Sequence, residues 1–190
     1  IWLTSHDRYF EEVANELSVG FHLRKQQAFK ENETSHEYGL EFLQRHSANW
    51  FFEIQPVTPL FSCKDIRKFV EHTVHSKAYF LTSAHPETLE FFSTQQETDS
   101  SYSLQEVSPV NFDPQTKKES QNLKKMYQLN WAISARNGLW YRSFQEASQV
   151  PFLPENSEFV LFDKYHCLAI KTSDDLAVCQ KLFESKEIFN

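Results

Sequence analysis

"VHSKAYFLTSAHPETLEFF", residues 74–92, contains the pattern that sets the fold class predicted for this chain. Residues 78–82 are a short apolar run of the kind that forms a buried strand. Pro86 follows in "HPETLEFF", where proline suits the first turn of a helix. A strand followed directly by a helix is the unit of an α/β fold, in which helices cover the faces of a sheet.

The same alternation extends along the rest of the chain. Apolar residues at helical spacing predict helices at five places: Ser5 to Gly20, 35–47, Ser62 to Val74, Pro114 to Asn137, and from Ser173 onward. Residues with high β-propensity predict strands at five others: around Phe21 and Leu23, 49–57, 139–144 ("LWYRSF"), 158–163 ("EFVLFD") and 166–172 ("HCLAIKT"). The last two strands are close enough to pair as a hairpin. The sequence therefore predicts an α/β sandwich with a mixed sheet and helices on the sheet faces.

A length of 190 residues fits one globular domain, residues 1–190. Residues 93–121 are mostly polar and predict a surface connection between two halves, 1–95 and 114–190. The strand before Thr82 and the strand before Thr172 are each followed by Thr-Ser and a helix, which suggests that the halves are related.

Composition excludes several classes of function. The net charge of −7 argues against a nucleic-acid partner, because phosphate neutralisation needs clustered Lys and Arg. Only three glycines occur, so no glycine-rich phosphate loop can be written. Three widely spaced cysteines argue against a disulfide framework and favour the reducing cytoplasm. Since no apolar stretch approaches the roughly 20 residues of a membrane span, no membrane association is expected.

The order helix, "LWYRSF", "EFVLFD", "HCLAIKT", helix resembles the C-terminal half of phospholipase D-like proteins, mainly over residues 120–190 and more faintly over 70–95. In that superfamily each half supplies a His-x-Lys-x4-Asp motif. One His attacks phosphorus, its partner acts as general acid, and the Lys residues hold the phosphate oxygens.

The residues at these motif positions decide what the resemblance implies. The second half places Asn156, Glu158 and Asp163 at the His, Lys and Asp positions, and neither catalytic residue type is retained. The first half has His75 and Lys77 at the His-x-Lys pair. The resemblance therefore implies a degenerate, non-catalytic member, a pseudoenzyme.

We expect from this a regulatory module or complex subunit that binds another protein or domain, with a homodimer as a further option. Its binding residues would be Arg142, Trp140, Asn156, Glu158 and Asp163, and it would need no cofactor. The alternative is a phosphodiesterase or nuclease that uses His75 and Lys77. An effector unrelated to this superfamily stays open as well.

A metal site is not expected. His72 and His75 share a helix face, and Cys63, Glu71 or His85 could join them, but no closed set of four ligands is visible. Histidines near a helix C-terminus are also favoured by the helix dipole.

Overall fold

The computed structural model describes residues 1–24, 35–94, 107–116, 122–144 and 146–185. Within these residues, strands lie at Trp2–Ser5 (β1), Gly20–Leu23 (β2), Trp50–Ile54 (β3), Phe80–Glu87 (β4), Phe92–Thr94 (β5), Val107–Pro109 (β6), Met126–Asn137 (β7) and Ser157–Leu161 (β8). Helices in the same ranges lie at Tyr9–Glu16 (α1), Ser35–Arg45 (α2), Cys63–His75 (α3), Gly138–Arg142 (α4) and Ser173–Ser185 (α5). None of the described helices is long and apolar enough to cross a membrane.

Four strands form one mixed sheet in the order β3-β7-β4-β8. The amide of Tyr79 donates to Asn156 and that of Phe162 donates to Ala84, so β4 and β8 run in the same direction. Bonds from Gly138 to Asn49 and from Gln55 to Ala132 run in opposite senses along the chain, so β7 is antiparallel to β3. The predicted α/β fold with a mixed sheet is confirmed.

Two smaller sheets complete the strand pairing. β1 pairs with β2 in parallel, from Trp2 opposite Gly20 to Ser5 opposite Leu23, and α1 is the crossover between them. β5 pairs with β6 in antiparallel register, and Phe92 lies opposite Pro109.

The chain divides into two compact units, each built from separated segments. Unit 1 consists of Ile1–Glu53, Ser76–Leu81 and Ala135–Glu158. Unit 2 consists of Ile54–His75, Thr82–Ser134 and Phe159–Asn190. The assignment of residues 1–190 to a single domain stays a prediction.

The long helix predicted for residues 114–137 is wrong, because Met126–Asn137 is the strand β7. Every residue from Ala132 to Arg136 is buried. A strand covered on both faces is apolar at consecutive positions and loses the alternation that distinguishes strands from helices. This strand carries a helix-like sequence for that reason.

"LWYRSF" is not a strand either, since α4 begins at Gly138. The Asn137 side chain accepts hydrogen bonds from the amides of Leu139 and Trp140, which is the geometry of a helix N-cap. Gly138 is therefore the first residue of α4, and β7 ends before it at Asn137. A Cβ at position 138 would collide with the carbonyl oxygen of Ala48, so only glycine fits there.

Two further assignments are corrected. "HPETLEFF" is not a helix, because β4 continues to Glu87 and its residues Phe80–His85 are all buried. "HCLAIKT" is not a strand and forms no hairpin with β8. Asp163 accepts a hydrogen bond from the amide of Tyr165 and starts a turn there. The suggested relation between the halves is lost with these corrections, since neither Thr-Ser pair has a strand before it and a helix after it.

The remaining helices and the strands β2, β3 and β8 lie where the sequence predicts them. The N-terminal caps of α3 and α5 are reciprocal boxes formed by Ser62 with Asp65 and by Thr172 with Asp175. Thr172 therefore caps α5 in place of the predicted Ser173.

Several polar side chains are buried in unit 1. Tyr141 is fully buried and its hydroxyl donates to the carbonyl oxygen of His36 at 3.0 Å. Arg136 is also buried and lies 3.1 Å from the Glu53 carboxylate. Burial, and then the positive charge of Arg136, lower the pKa of His36 to about 4.

We expect acid to destabilise the protein through His36. Its pKa is about 4 in the folded chain and about 6.5 when unfolded, so the unfolded state binds more protons between these values. The stabilisation is complete above pH 6.5 and is lost as the pH falls towards 4. Urea unfolding should show a loss of about 2 kcal/mol from this residue between pH 7.5 and 5. His36→Gln should reduce that loss, and an unchanged pH dependence in the variant would contradict the assignment.

Candidate functional site

The residues proposed from the sequence lie in different places. His75 is the exposed last residue of α3, and Lys77 is exposed before β4. The Asn156 side chain donates to the backbone carbonyl of Lys77 at 2.9 Å. This contact therefore involves the backbone of Lys77 and not its side-chain ammonium group. Glu158 is half-buried in β8, and Asp163 is exposed in the turn after it.

Trp140 and Arg142 both belong to the short helix α4. The Trp140 ring stacks in parallel on Tyr79, with 5.8 Å between ring centroids, and meets the edge of Phe144. Arg142 donates to the carbonyl oxygen of Ala48 at 3.2 Å. These contacts fix α4 within unit 1, and a ligand-binding role for either residue stays a prediction.

A different group of residues forms a polar cluster in unit 2. The cluster, called here the carboxyl-edge cluster, consists of Asp65, Ser83, His85, Glu87, Asn130, His166 and Cys167. Strands β4 and β8 are parallel, so their carboxyl ends lie at one edge of the sheet. In open α/β sheets, ligands bind outside the carboxyl ends of the parallel strands.

Asn130 is the centre of one half of this cluster. Its Oδ1 accepts from the Ser83 hydroxyl at 2.5 Å and from the amide of Ala132 at 3.2 Å. Its Nδ2 lies 3.3 Å from Nδ1 of His85. An amide nitrogen only donates, so His85 Nδ1 carries the lone pair and Nε2 carries the proton.

The proton on His85 Nε2 points to the Glu87 carboxylate, 3.0 Å away. The hydrogen bonds therefore run in one direction, from Ser83 through Asn130 and His85 to Glu87. Ser83 is fully buried and His85 nearly so. A buried network that is satisfied throughout holds its members in one geometry.

The other half of the cluster contains a second pair of histidine and carboxylate. Nδ1 of His166 lies 3.1 Å from Oδ2 of Asp65, the residue that caps α3 together with Ser62. Burial acts to raise the pKa of Asp65, but hydrogen bonds from Ser62 and the His166 imidazole outweigh it and lower this pKa. Asp65 is therefore ionised at neutral pH.

Cys167 lies between the two halves. Its thiol is hydrogen-bonded to the Asn130 side chain, and the negative charge of Asp65 acts on it. Burial, followed by the charges of Asp65 and Asp163, raises the pKa of this thiol to about 12. The thiol thus stays protonated at neutral pH and is not an activated nucleophile.

Backbone strain marks the same place. Trp131, directly after Asn130, has a φ of 58° in the middle of β7. A bulky residue rarely adopts this left-handed conformation, and strained residues persist chiefly at functional sites.

Most of this cluster is missed by sequence reasoning, which named only His85 among its members, as a possible metal partner. The Ser-x-x-Asp capping box at 62–65 was a readable signal for Asp65. His166 and Asn130 carry no local motif that points to them. Within the described residues, no group of three or more His, Cys, Asp and Glu is placed to hold a metal ion.

Known structures share this fold over nearly the whole chain. One is 4-diphosphocytidyl-2C-methyl-D-erythritol synthase from Anaerococcus prevotii, with a TM-score of 0.61 and 12% identity, covering 94% of this chain and 77% of that one. CMP-2-keto-3-deoxy-manno-octonic acid synthetase in complex with CTP also has a TM-score of 0.61 and 12% identity, covering 97% and 80%. HddC from Yersinia pseudotuberculosis has a TM-score of 0.50 and 12% identity, covering 95% and 76%. No family model and no curated protein sequence matches the chain.

These likenesses correct three predictions. The chain shares its fold with these two solved structures, and this fold differs from that of phospholipase D-like proteins, so the resemblance to that superfamily is wrong. The function inferred from it, a non-catalytic binding module or alternatively a phosphodiesterase, is wrong as well, since the structural neighbours are nucleotide-transferring enzymes. The description as a pseudoenzyme is corrected for the same reason. The element order that suggested the resemblance contained two strands that do not exist.

Proposed function

We propose that this chain is a nucleotidyltransferase that transfers the CMP group of CTP to a hydroxyl group of a small polar acceptor. The observation that carries the proposal is the likeness, over more than nine-tenths of the chain, to two enzymes named for cytidine nucleotide products. One of those enzymes was solved with CTP. We place the protein in the cytoplasm, where nucleoside triphosphates are available; a protein partner stays a prediction.

The reaction is a displacement at the α-phosphorus of CTP, supplied as its magnesium complex. The acceptor oxygen forms a bond to this phosphorus, and the bond to the oxygen that bridges the α- and β-phosphates breaks. Pyrophosphate leaves, and the proton of the acceptor hydroxyl must pass to a base. Catalysis of such a transfer depends mainly on positioning and on electrostatic stabilisation.

The carboxyl-edge cluster supports this proposal by its position and its rigidity. It lies at the edge of the sheet where α/β proteins bind ligands. Asp65 and Glu87 each accept a hydrogen bond from an imidazole, which fixes the orientation of both carboxylates and both rings. Fixed donors and acceptors orient a substrate at little entropic cost.

A direct assay tests the proposal. The protein is incubated with the magnesium complexes of CTP, ATP, GTP and UTP, with acceptors that include 2-keto sugar acids and polyol phosphates. We expect CTP to bind with a micromolar to millimolar Kd, and pyrophosphate to be released only when a suitable acceptor is present. Calorimetry measures the binding and a coupled assay measures pyrophosphate. Failure to bind any of the four nucleotides would contradict the proposal.

A further inference from the structure

The two histidines of the carboxyl-edge cluster differ in which ring nitrogen is available. Both are paired with a carboxylate, His85 with Glu87 and His166 with Asp65. They use opposite nitrogens for that pair, Nε2 in His85 and Nδ1 in His166. The nitrogen that remains is therefore Nδ1 in one ring and Nε2 in the other.

His85 has no nitrogen to offer a substrate. Its Nε2 proton is directed to Glu87, and its Nδ1 lone pair accepts from Asn130. The side chain is also only 9% exposed. A substrate could reach Nδ1 only if the hydrogen bond to Asn130 were broken inside a buried network, which is costly.

His166 has the opposite arrangement. Its Nδ1 proton is directed to an ionised carboxylate, which leaves the lone pair on Nε2. The side chain is 25% exposed, and Asp65 is the hydrogen-bond partner that the described residues supply to its ring. Nε2 lies across the ring from Nδ1 and thus points away from Asp65.

A histidine held in this way is suited to accept a proton. A carboxylate that accepts from Nδ1 selects the tautomer, orients the ring and stabilises the imidazolium that forms. Asp65 is itself fixed by the amide and the hydroxyl of Ser62, at 2.9 and 2.6 Å. The base and its positioning residue are therefore both rigidly placed.

We infer that His166 is the general base of the transfer and that Asp65 is its positioning residue, an inference that rests on the proposed function. His166 Nε2 takes the proton of the acceptor hydroxyl as the oxygen attacks the α-phosphorus. The imidazolium is stabilised by Asp65 until the proton passes to solvent, while pyrophosphate leaves with the electron pair of the broken bond. His85 and Asn130 keep the neighbouring wall of the cluster in place.

The decisive variants are His166→Ala and His166→Gln. General-base catalysis contributes about 10²- to 10⁴-fold, so kcat should fall by that factor while the Kd of the magnesium complex of CTP stays within about twofold. Added imidazole should restore part of the activity of His166→Ala, because the ring is partly exposed and its site is open to a small base. His75→Gln, an exposed histidine outside the cluster, is the matched control and should keep wild-type kcat.

The pH profile distinguishes a base from a structural residue. The dependence of kcat/KM on pH should change in His166→Gln, because this variant lacks the group that takes the proton of the acceptor hydroxyl, whereas loss of a merely structural residue would lower kcat/KM equally at every pH. Asp65→Asn removes the charge that orients the ring and stabilises the imidazolium, so kcat should decrease.

The outcomes separate this inference from the proposed function. If the wild type binds no nucleotide and releases no pyrophosphate, both are overturned. If the wild type turns over CTP and both His166 variants keep kcat within about threefold, only the base role is overturned. The base role would also be overturned if the His166 variants lost kcat and CTP affinity equally and imidazole restored no activity. His166 would then have a binding role.

Discussion

Asn130→Leu is expected to lower the free energy of unfolding by about 4 kcal/mol. The substitution preserves approximate volume but removes the acceptor of Ser83 and of the Ala132 amide, and the donor to His85. Each buried polar group left without a partner costs about 1–3 kcal/mol, and Ser83 and His85 are both buried. Urea unfolding at pH 7.5, followed by circular dichroism, measures the change.

Asn156→Leu is the matched control for this prediction. Asn156 also donates to an acceptor, the carbonyl oxygen of Lys77, but it is exposed, so water can replace it. The control should lose less than about 1 kcal/mol. Equal losses in the two variants would show that the network around Asn130 contributes no more than a surface bond does.

Glu53→Leu is expected to cost about 3 kcal/mol. Arg136 is only 4% exposed, and its guanidinium lies 3.1 Å from the Glu53 carboxylate. It also lies over the rings of Phe80 and Tyr141, at 5.2 and 5.3 Å from their centroids. Removing one member of a buried ion pair leaves a buried charge with less compensation, which typically costs 3–5 kcal/mol. Glu53 is partly exposed, which places the expected value at the lower end of this range.

Two further variants complete the test. Glu41→Leu removes an ion pair whose cation, Arg45, is 44% exposed and stays hydrated without its partner, so the substitution should cost less than about 1 kcal/mol. Arg136→Met combined with Glu53→Leu should recover much of the stability lost in Glu53→Leu alone, because no buried charge remains. Additive losses in the double variant would contradict an interaction between these two side chains.

The sequence predicts the fold class and most elements whose amphipathic pattern is complete. α1, α2, α3 and α5 each bury one face, so their apolar residues recur at helical spacing. β4 and β7 are the central strands of the sheet and are buried on both faces. Their patterns lack the period of two, so the whole of β7 and the end of β4 were predicted to be helical. The helix α4 has only five residues, and the aromatic residues among them favour a strand. The Asn137 cap is the feature that identifies it as a helix.

The candidate site is much less predictable than the fold. Its members lie on α3, β4, β7 and the turn after β8, and only the sheet brings them together. His75 and Lys77 have the spacing of a known motif, yet the motif belongs to another fold. Asn130 and His166 are single polar residues without a local signature, and only their hydrogen-bond partners distinguish them.

Asp65 connects two segments of the chain, because its hydrogen bond to His166 joins residues that are 101 positions apart in sequence. The same carboxylate oxygen closes the first turn of α3 and holds the imidazole that follows β8. Local unfolding of either segment therefore weakens the other, and the two should exchange their amide hydrogens as one cooperative group. A single proton taken up by this carboxylate would loosen both at once.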